Sequence, residues 1–295
     1  MGPAMLIFIS MLIWGSVGLF VRFVDLPATE IVFIRAVIAG AILFVYRLIF
    51  VKEKKRIPKN EIVLLVFAGI ALSLNWLFLF KAYKYTTITI ATLCNYMSPV
   101  FITIAASVFL KDKITFKKVI SIGMATVGLA IVVFQNSGDP ATANNQLLGV
   151  LYGLMSAVQY AVIVILNKKV KYASGLDITL IQILSSLIIM TPIVFYKNTI
   201  HFPNMRSLYF AIGIGVIHTT IPYLLYFTNL HKLPVQKVVI LSYFDPISAV
   251  FYSALLLGEP LTIFHIVGTA LILGSTAITM ERRRKAKLKE GTSSS

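Results

Sequence analysis

Asn95-Tyr96-Met97-Ser98-Pro99 and Ser242-Tyr243-Phe244-Asp245-Pro246 each set a Tyr-x-x-Pro in the middle of a long apolar run, and the two tyrosines lie 147 positions apart. Sliding the chain along itself by that offset also brings Phe80 onto Phe227, Ile31 onto Ile178, Leu110 onto Leu257, Thr115 onto Thr262 and Ala130 onto Ala277. Glu30 falls on Asp177 and Asp112 on Glu259; an offset one residue shorter pairs Ser10 with Ser156 and Trp14 with Tyr160. Apolar helices match one another easily, so the paired mid-run Tyr-x-x-Pro carries the weight. The chain is a tandem repeat.

Working outward, the composition names the solvent. Of 295 residues, 58% are hydrophobic and 13% charged, and the mean hydropathy is +0.87. Soluble domains carry about 25% charged residues, and disordered chains are poor in apolar ones. Lipid is the remaining solvent for this much apolar surface. Crossing the hydrocarbon takes about 20 mostly apolar residues, and ten stretches qualify: 4–23, 29–50, 61–82, 86–110, 117–134, 147–167, 176–196, 206–229, 234–257 and 261–280. The runs are continuous, unlike the short alternating segments of a transmembrane barrel. The expected fold is therefore an all-α polytopic membrane protein of ten transmembrane helices. The first run lacks a basic leader or small-residue cleavage site, so it reads as a retained span.

Each repeat holds five spans, residues 4–134 and 147–280, joined by a polar linker at 135–146 and followed by a basic tail at 281–295. Five is odd, so the second repeat enters the membrane from the opposite side. Such inverted repeats occur in secondary transporters, with the site near the midplane between the halves.

The net charge of +16 comes in bursts between apolar runs, such as Lys52 to Lys59 and Arg282 to Lys289, and forms no continuous surface for nucleic acid. Short cytoplasmic loops retain Lys and Arg. Arg47, the 52–59 burst, Lys111, Lys113, Lys117, Lys118, Lys168, Lys169, Lys171, Lys232, Lys237 and the tail share one side, against Arg22, Lys81, Lys84, Lys197 and Arg206 on the other. Both termini are expected in the cytoplasm. The single Cys94 excludes an intrachain disulfide and a cysteine metal site and reads as a small buried hydrophobe.

Trp14-Gly15-Ser16, Glu30 to Arg35, Asn95 to Pro99 followed by Leu110-Lys111-Asp112-Lys113-Ile114-Thr115, and Tyr243 to Pro246 followed by Leu256-Leu257-Gly258-Glu259-Pro260-Leu261 keep the order and spacing of a known family. On these residues the chain resembles the EamA-like members of the drug/metabolite transporter superfamily, over about 280 residues. Lys111-Asp112-Lys113 departs from the glutamate commoner in that loop. The resemblance implies a bacterial inner-membrane carrier of ten spans, often an exporter of amino acids or related metabolites.

Asp245 lies about 16 Å into its span at 1.5 Å per residue. An intramembrane carboxylate is protonated, paired or wet, so it reads as a substrate-amine contact, a proton-coupling site or a packing hydrogen bond. Its repeat mate is Ser98. Arg35, whose mate is Gln182, suits a substrate carboxylate, a structural pair or snorkelling. His218 suits a proton relay, a substrate contact or packing. Asn75 beside Trp76, and Gln159 beside Tyr160, are expected to line a pocket with Trp14, Asn95, Tyr96 and Tyr243. Pro99, Pro192, Pro222 and Pro246 lie inside spans, where each is expected to kink its helix, the freed carbonyls facing protein or a wet cavity.

A secondary transporter of small organic metabolites such as amino acids, working by alternating access with or without proton coupling, fits these features; a facilitative channel or uniporter is the alternative. No Gly-x-x-x-x-Gly-Lys-Ser/Thr phosphate loop is present. Neither His-Glu-x-x-His nor Gly-x-Ser-x-Gly occurs, and the four histidines are scattered, which disfavours an intramembrane enzyme. A receptor or scaffold would be a rigid bundle without a central cavity. The expected partners are a small-molecule substrate, protons and the lipid bilayer, without cofactor or metal.

Overall fold

A computed structural model describes residues 1–51, 56–109, 115–135, 140–197, 204–230, 232–275 and 278. Every regular element among them is helical. Among the described residues, nine helical spans are long and apolar enough to cross a membrane, and the helix Ile263–Ser275 adds a shorter tenth. Large apolar side chains point outward along the spans, Phe44 and Leu48 in the second and Phe251 and Leu255 in the ninth among them. In water such a belt would aggregate; in lipid it is the solvated surface.

The elements in chain order are α1 (Pro3–Gly15), α2 (Val17–Arg22), α3 (Ala28–Phe50), α4 (Lys59–Tyr85), α5 (Ile88–Asn95), α6 (Ser98–Phe109), α7 (Phe116–Gln135), α8 (Pro140–Asn167), α9 (Gly175–Lys197), α10 (Met205–Gly215), a π turn (Val216–Thr220), α11 (Ile221–Leu230), α12 (Val235–Ser242), α13 (Phe244–Leu257) and α14 (Ile263–Ser275). Span 1 is α1 with α2, span 4 is α5 with α6, span 8 is α10 with α11, and span 9 is α12 with α13. The segment read as a linker is helical at both ends, since α7 runs to Gln135 and α8 begins at Pro140. The tail 281–295, most of the 52–59 burst and the Leu110–Ile114 motif lie outside the described residues.

The two repeats interleave. α4 packs along α8 and α9, just as its counterpart α10–α11 packs along α3 and α1. α5 and α6 lie on α8 as α12 and α13 lie on α1, and α3 meets its own counterpart α9. α7 meets α14 so closely that a Cβ on Gly128 would come within 2.8 Å of the Gly268 carbonyl oxygen, and one on Gly268 within 2.6 Å of the Gly128 oxygen. Only glycine permits that approach. Exchanging the halves maps this set of neighbours onto itself, as a two-fold relation between oppositely inserted repeats requires.

Pro192 lies inside α9, but Pro99 and Pro246 act differently from the expected kink. Span 4 is broken at Tyr96-Met97, and Pro99 is the second residue of α6. Span 9 is broken at Tyr243, and Pro246 is the third residue of α13. In the first turn of a helix the N–H that proline lacks has no partner to lose, so both spans restart at midplane as discontinuous helices. In span 8 the π turn precedes Pro222, and Thr219 and Thr220 donate their hydroxyls to the carbonyls of Ile214 and Gly215 at 2.8 and 3.0 Å. Side chains thus satisfy backbone groups that lipid could not.

The N-terminal face of the bundle is the one where α1 begins; ten traverses return α14 to it. On the far face α5 packs against α13, and α13 also meets α2. Glu259 accepts from the backbone N–H groups of Ile88 at 2.9 Å and Thr89 at 3.4 Å, and lies 3.5 Å from Arg22. Thr89 and Ser253 share a hydrogen bond of 2.9 Å beneath it. On the N-terminal face no extended contact joins α6 to α12 or to α1 among the described residues. Among the described residues, spans 4 and 9 are thus joined on the far face and not extensively on the N-terminal one, where Arg47 with Asp177, and Glu61 with the backbone of Lys171 and Tyr172, still tie other spans of the two repeats.

Candidate functional site

The restarts of spans 4 and 9 bring their polar residues together. Tyr96, in the break of span 4, donates its hydroxyl to Asp245 Oδ2 at 2.7 Å, a contact between repeats across 149 residues of chain. Asp245 sits in the first turn of α13, where the helix dipole favours a negative charge. Both side chains are half-buried.

Gly15 sets the distance between span 1 and this site. A Cβ there would lie 2.0 Å from Ser248 Oγ and 2.7 Å from the Asp245 carbonyl oxygen, so glycine is what lets α1 cross α13. The crossing places Trp14 beside α11, with its ring 5.4 Å from that of Tyr223 and 5.5 Å from that of Tyr226. Ser16, in the break between α1 and α2, shares a 2.9 Å hydrogen bond with His218 Nε2, and the Phe20 ring lies 4.1 Å from the imidazole, tilted by 57°.

Tyr160 completes the ring of aromatics. It shares a face of α8 with Gly149, Gly153 and Ser156, within about 40° at 100° per residue. Gly149 abuts Thr86, Gly153 abuts the buried Cys94, and Ser156 bonds Asn95, so this face points into the protein. Tyr160 is nonetheless 44% exposed. An exposed side chain on an inward face lines a solvent-accessible cavity. Asp245, Tyr96, Tyr223 and Tyr226 all lie near enough to Tyr160 for a charge on one to be felt by it.

The other residues singled out in the sequence form two supporting clusters. Asn75 donates to the Ser156 carbonyl at 2.8 Å and to Asn95 Oδ1 at 3.4 Å, while Ser156 Oγ donates to Asn95 Oδ1 at 2.9 Å. This knot ties spans 3, 4 and 6 just before the break at Tyr96. Arg35 does not snorkel: it is 4% exposed, its guanidinium lies 3.9 Å from the Trp76 ring centre, and its Nε donates to Thr219 at 3.0 Å. Ser98 is buried, Gln159 is half-buried outside these clusters, and the Tyr243 hydroxyl finds no hydrogen-bond partner among the described residues. No group of three His, Cys, Asp or Glu side chains converges among the described residues.

Tyr223, Tyr226, Ser16 and Ser156 were not singled out as site residues from sequence. A signal for Tyr223 existed, because the 147-residue offset places it on Trp76.

A solved crystal structure shares the fold, with a TM-score of 0.64 over 96% of this chain and 98% of its own at 17% identity. An uncharacterized transporter of Bacillus subtilis, YxxF, is 30% identical over 94% of this chain and 88% of its own. An uncharacterized inner membrane transporter of Salmonella typhimurium, YicL, is 26% identical over 95% and 96%. The EamA-like transporter family matches twice, over residues 1–134 and 147–280. Two family matches that follow the two sequence repeats, over a ten-span helical bundle, mean that the chain belongs to the EamA-like transporter family.

Proposed function

We propose that the protein is a secondary carrier that exports small organic solutes, amino acids among them, across the cell membrane by alternating access around a midplane site between the repeats. One observation carries the reading: the Tyr96–Asp245 contact joins two interrupted spans beside the exposed, inward-facing Tyr160, beneath a far face on which spans 4 and 9 join and above an N-terminal one on which they part. Discontinuous helices at midplane are where inverted-repeat transporters bind their cargo. The basic loops assign the parted face to the cytoplasm, so solute loads from inside. Asp245 is the residue at which a proton and a solute would exchange.

The closed far face disfavours an open pore. Counterflow in liposomes tests the point: accumulation of labelled solute against excess unlabelled internal solute is expected of a carrier. Flux without saturation or counterflow would indicate a channel, and no flux for a broad metabolite panel would end the transport reading.

A further inference from the structure

Asp245 is the sole carboxylate placed in the middle of a span among the described residues. Its Oδ2 is taken by the Tyr96 hydroxyl. Its Oδ1 has no protein hydrogen bond among those residues and is not fully buried, so an acceptor faces the cavity. Around that space stand Trp14, Tyr160, Tyr223 and Tyr226, each partly exposed although packed among helices.

Among the described residues no Lys or Arg lies within ion-pair distance of Asp245. Arg35, the nearest candidate for a substrate carboxylate, is covered by Trp76 at 3.9 Å and Phe80 at 5.2 Å and held by Thr219. A carboxylate at membrane depth without a paired cation is expensive, and aromatic faces attract ammonium groups. Resting on the carrier reading above, we infer that the cavity takes an organic ammonium compound, its charged nitrogen against Asp245 Oδ1 inside the box of Trp14, Tyr160, Tyr223 and Tyr226, with no need for a carboxylate on the solute.

The test is equilibrium binding to the purified full chain, with counterflow in liposomes, for tetramethylammonium, phenethylammonium, phenylalanine and phenylpropionate. Phenethylammonium should bind at least as tightly as phenylalanine, and phenylpropionate should not compete. Asp245→Asn keeps the size of the side chain and should weaken phenethylammonium binding by about tenfold or more, the worth of a charge-assisted bond. Trp14→Phe should weaken it by about threefold, and it decides the matter should Asp245→Asn not fold. Equal binding of phenylpropionate, unchanged phenethylammonium affinity in a folded Asp245→Asn, or phenylalanine binding tenfold tighter than phenethylammonium would each overturn the inference. Counterflow of phenylpropionate alone would overturn it and leave the carrier reading standing; neither binding nor flux for any solute would sink both.

Discussion

Removing Glu259 should unlatch the far face. Its carboxylate accepts from two backbone N–H groups at the start of α5 and lies 3.5 Å from Arg22, tying the second repeat's far loop to two spans of the first. The carboxylate thus serves as a helix cap supplied by the opposite repeat, and losing a cap costs about 1 kcal/mol, with an upper end near 2. The Arg22 pair adds only a few tenths, because the Arg22 side chain is 35% exposed and solvent screens it. Together Glu259→Ala should weaken the closed far face by about 1.5 kcal/mol, roughly a tenfold shift in the balance of conformers. Ser253→Cys in a Cys94→Ala background supplies the reporter, since Ser253 is fully buried under the contact with Thr89. A membrane-impermeant maleimide applied from the far side should label it about ten times faster once Glu259 is replaced. An unchanged or slower rate would refute the assignment of this contact as the closure.

Gly15→Ala should destabilise the protein in detergent by about 1–3 kcal/mol, because the new methyl would meet Ser248 Oγ at 2.0 Å; Gly123→Ala, inside α7 with nothing within 4 Å, is the control and should not lower the thermal unfolding temperature, since alanine favours a helix interior. Thr219→Val keeps the shape but strands the Ile214 carbonyl and the Arg35 Nε–H, so thermal unfolding should show a loss of about 1–3 kcal/mol. Ser156→Ala removes one of the bonds holding Asn95, and thermal unfolding should register a loss of about 1 kcal/mol.

Apolar run length makes the ten spans legible in the sequence, because lipid imposes a length and a polarity on each crossing, and the paired Tyr-x-x-Pro makes the tandem repeat legible. Trp14 and Tyr160, paired by offset alone, do stand on one cavity. The Tyr96–Asp245 contact was not legible, since it depends on two spans restarting at the same depth and crossing there. Arg35 shows the limit: its position leaves a substrate carboxylate, a structural pair and snorkelling open, and the contacts it makes depend on Trp76 from span 3 and Thr219 from span 8. Pro99 and Pro246 begin helices instead of bending them, and the sequence does not carry that difference, because a proline inside an apolar run looks alike in both cases.

The interchangeable set of neighbours has a further consequence. If each repeat adopted the other's present backbone shape, most helix pairs would keep their partners, but α6 and α12 would touch on the N-terminal face as α5 and α13 do now on the far one. Under the proposed alternating access that arrangement would be the oppositely facing state, built from contacts equivalent to those already present. The two states would still differ in energy, because the place held by Asp245 in one repeat is held by Ser98 in the other, and a charge cannot be swapped for a hydroxyl by moving helices.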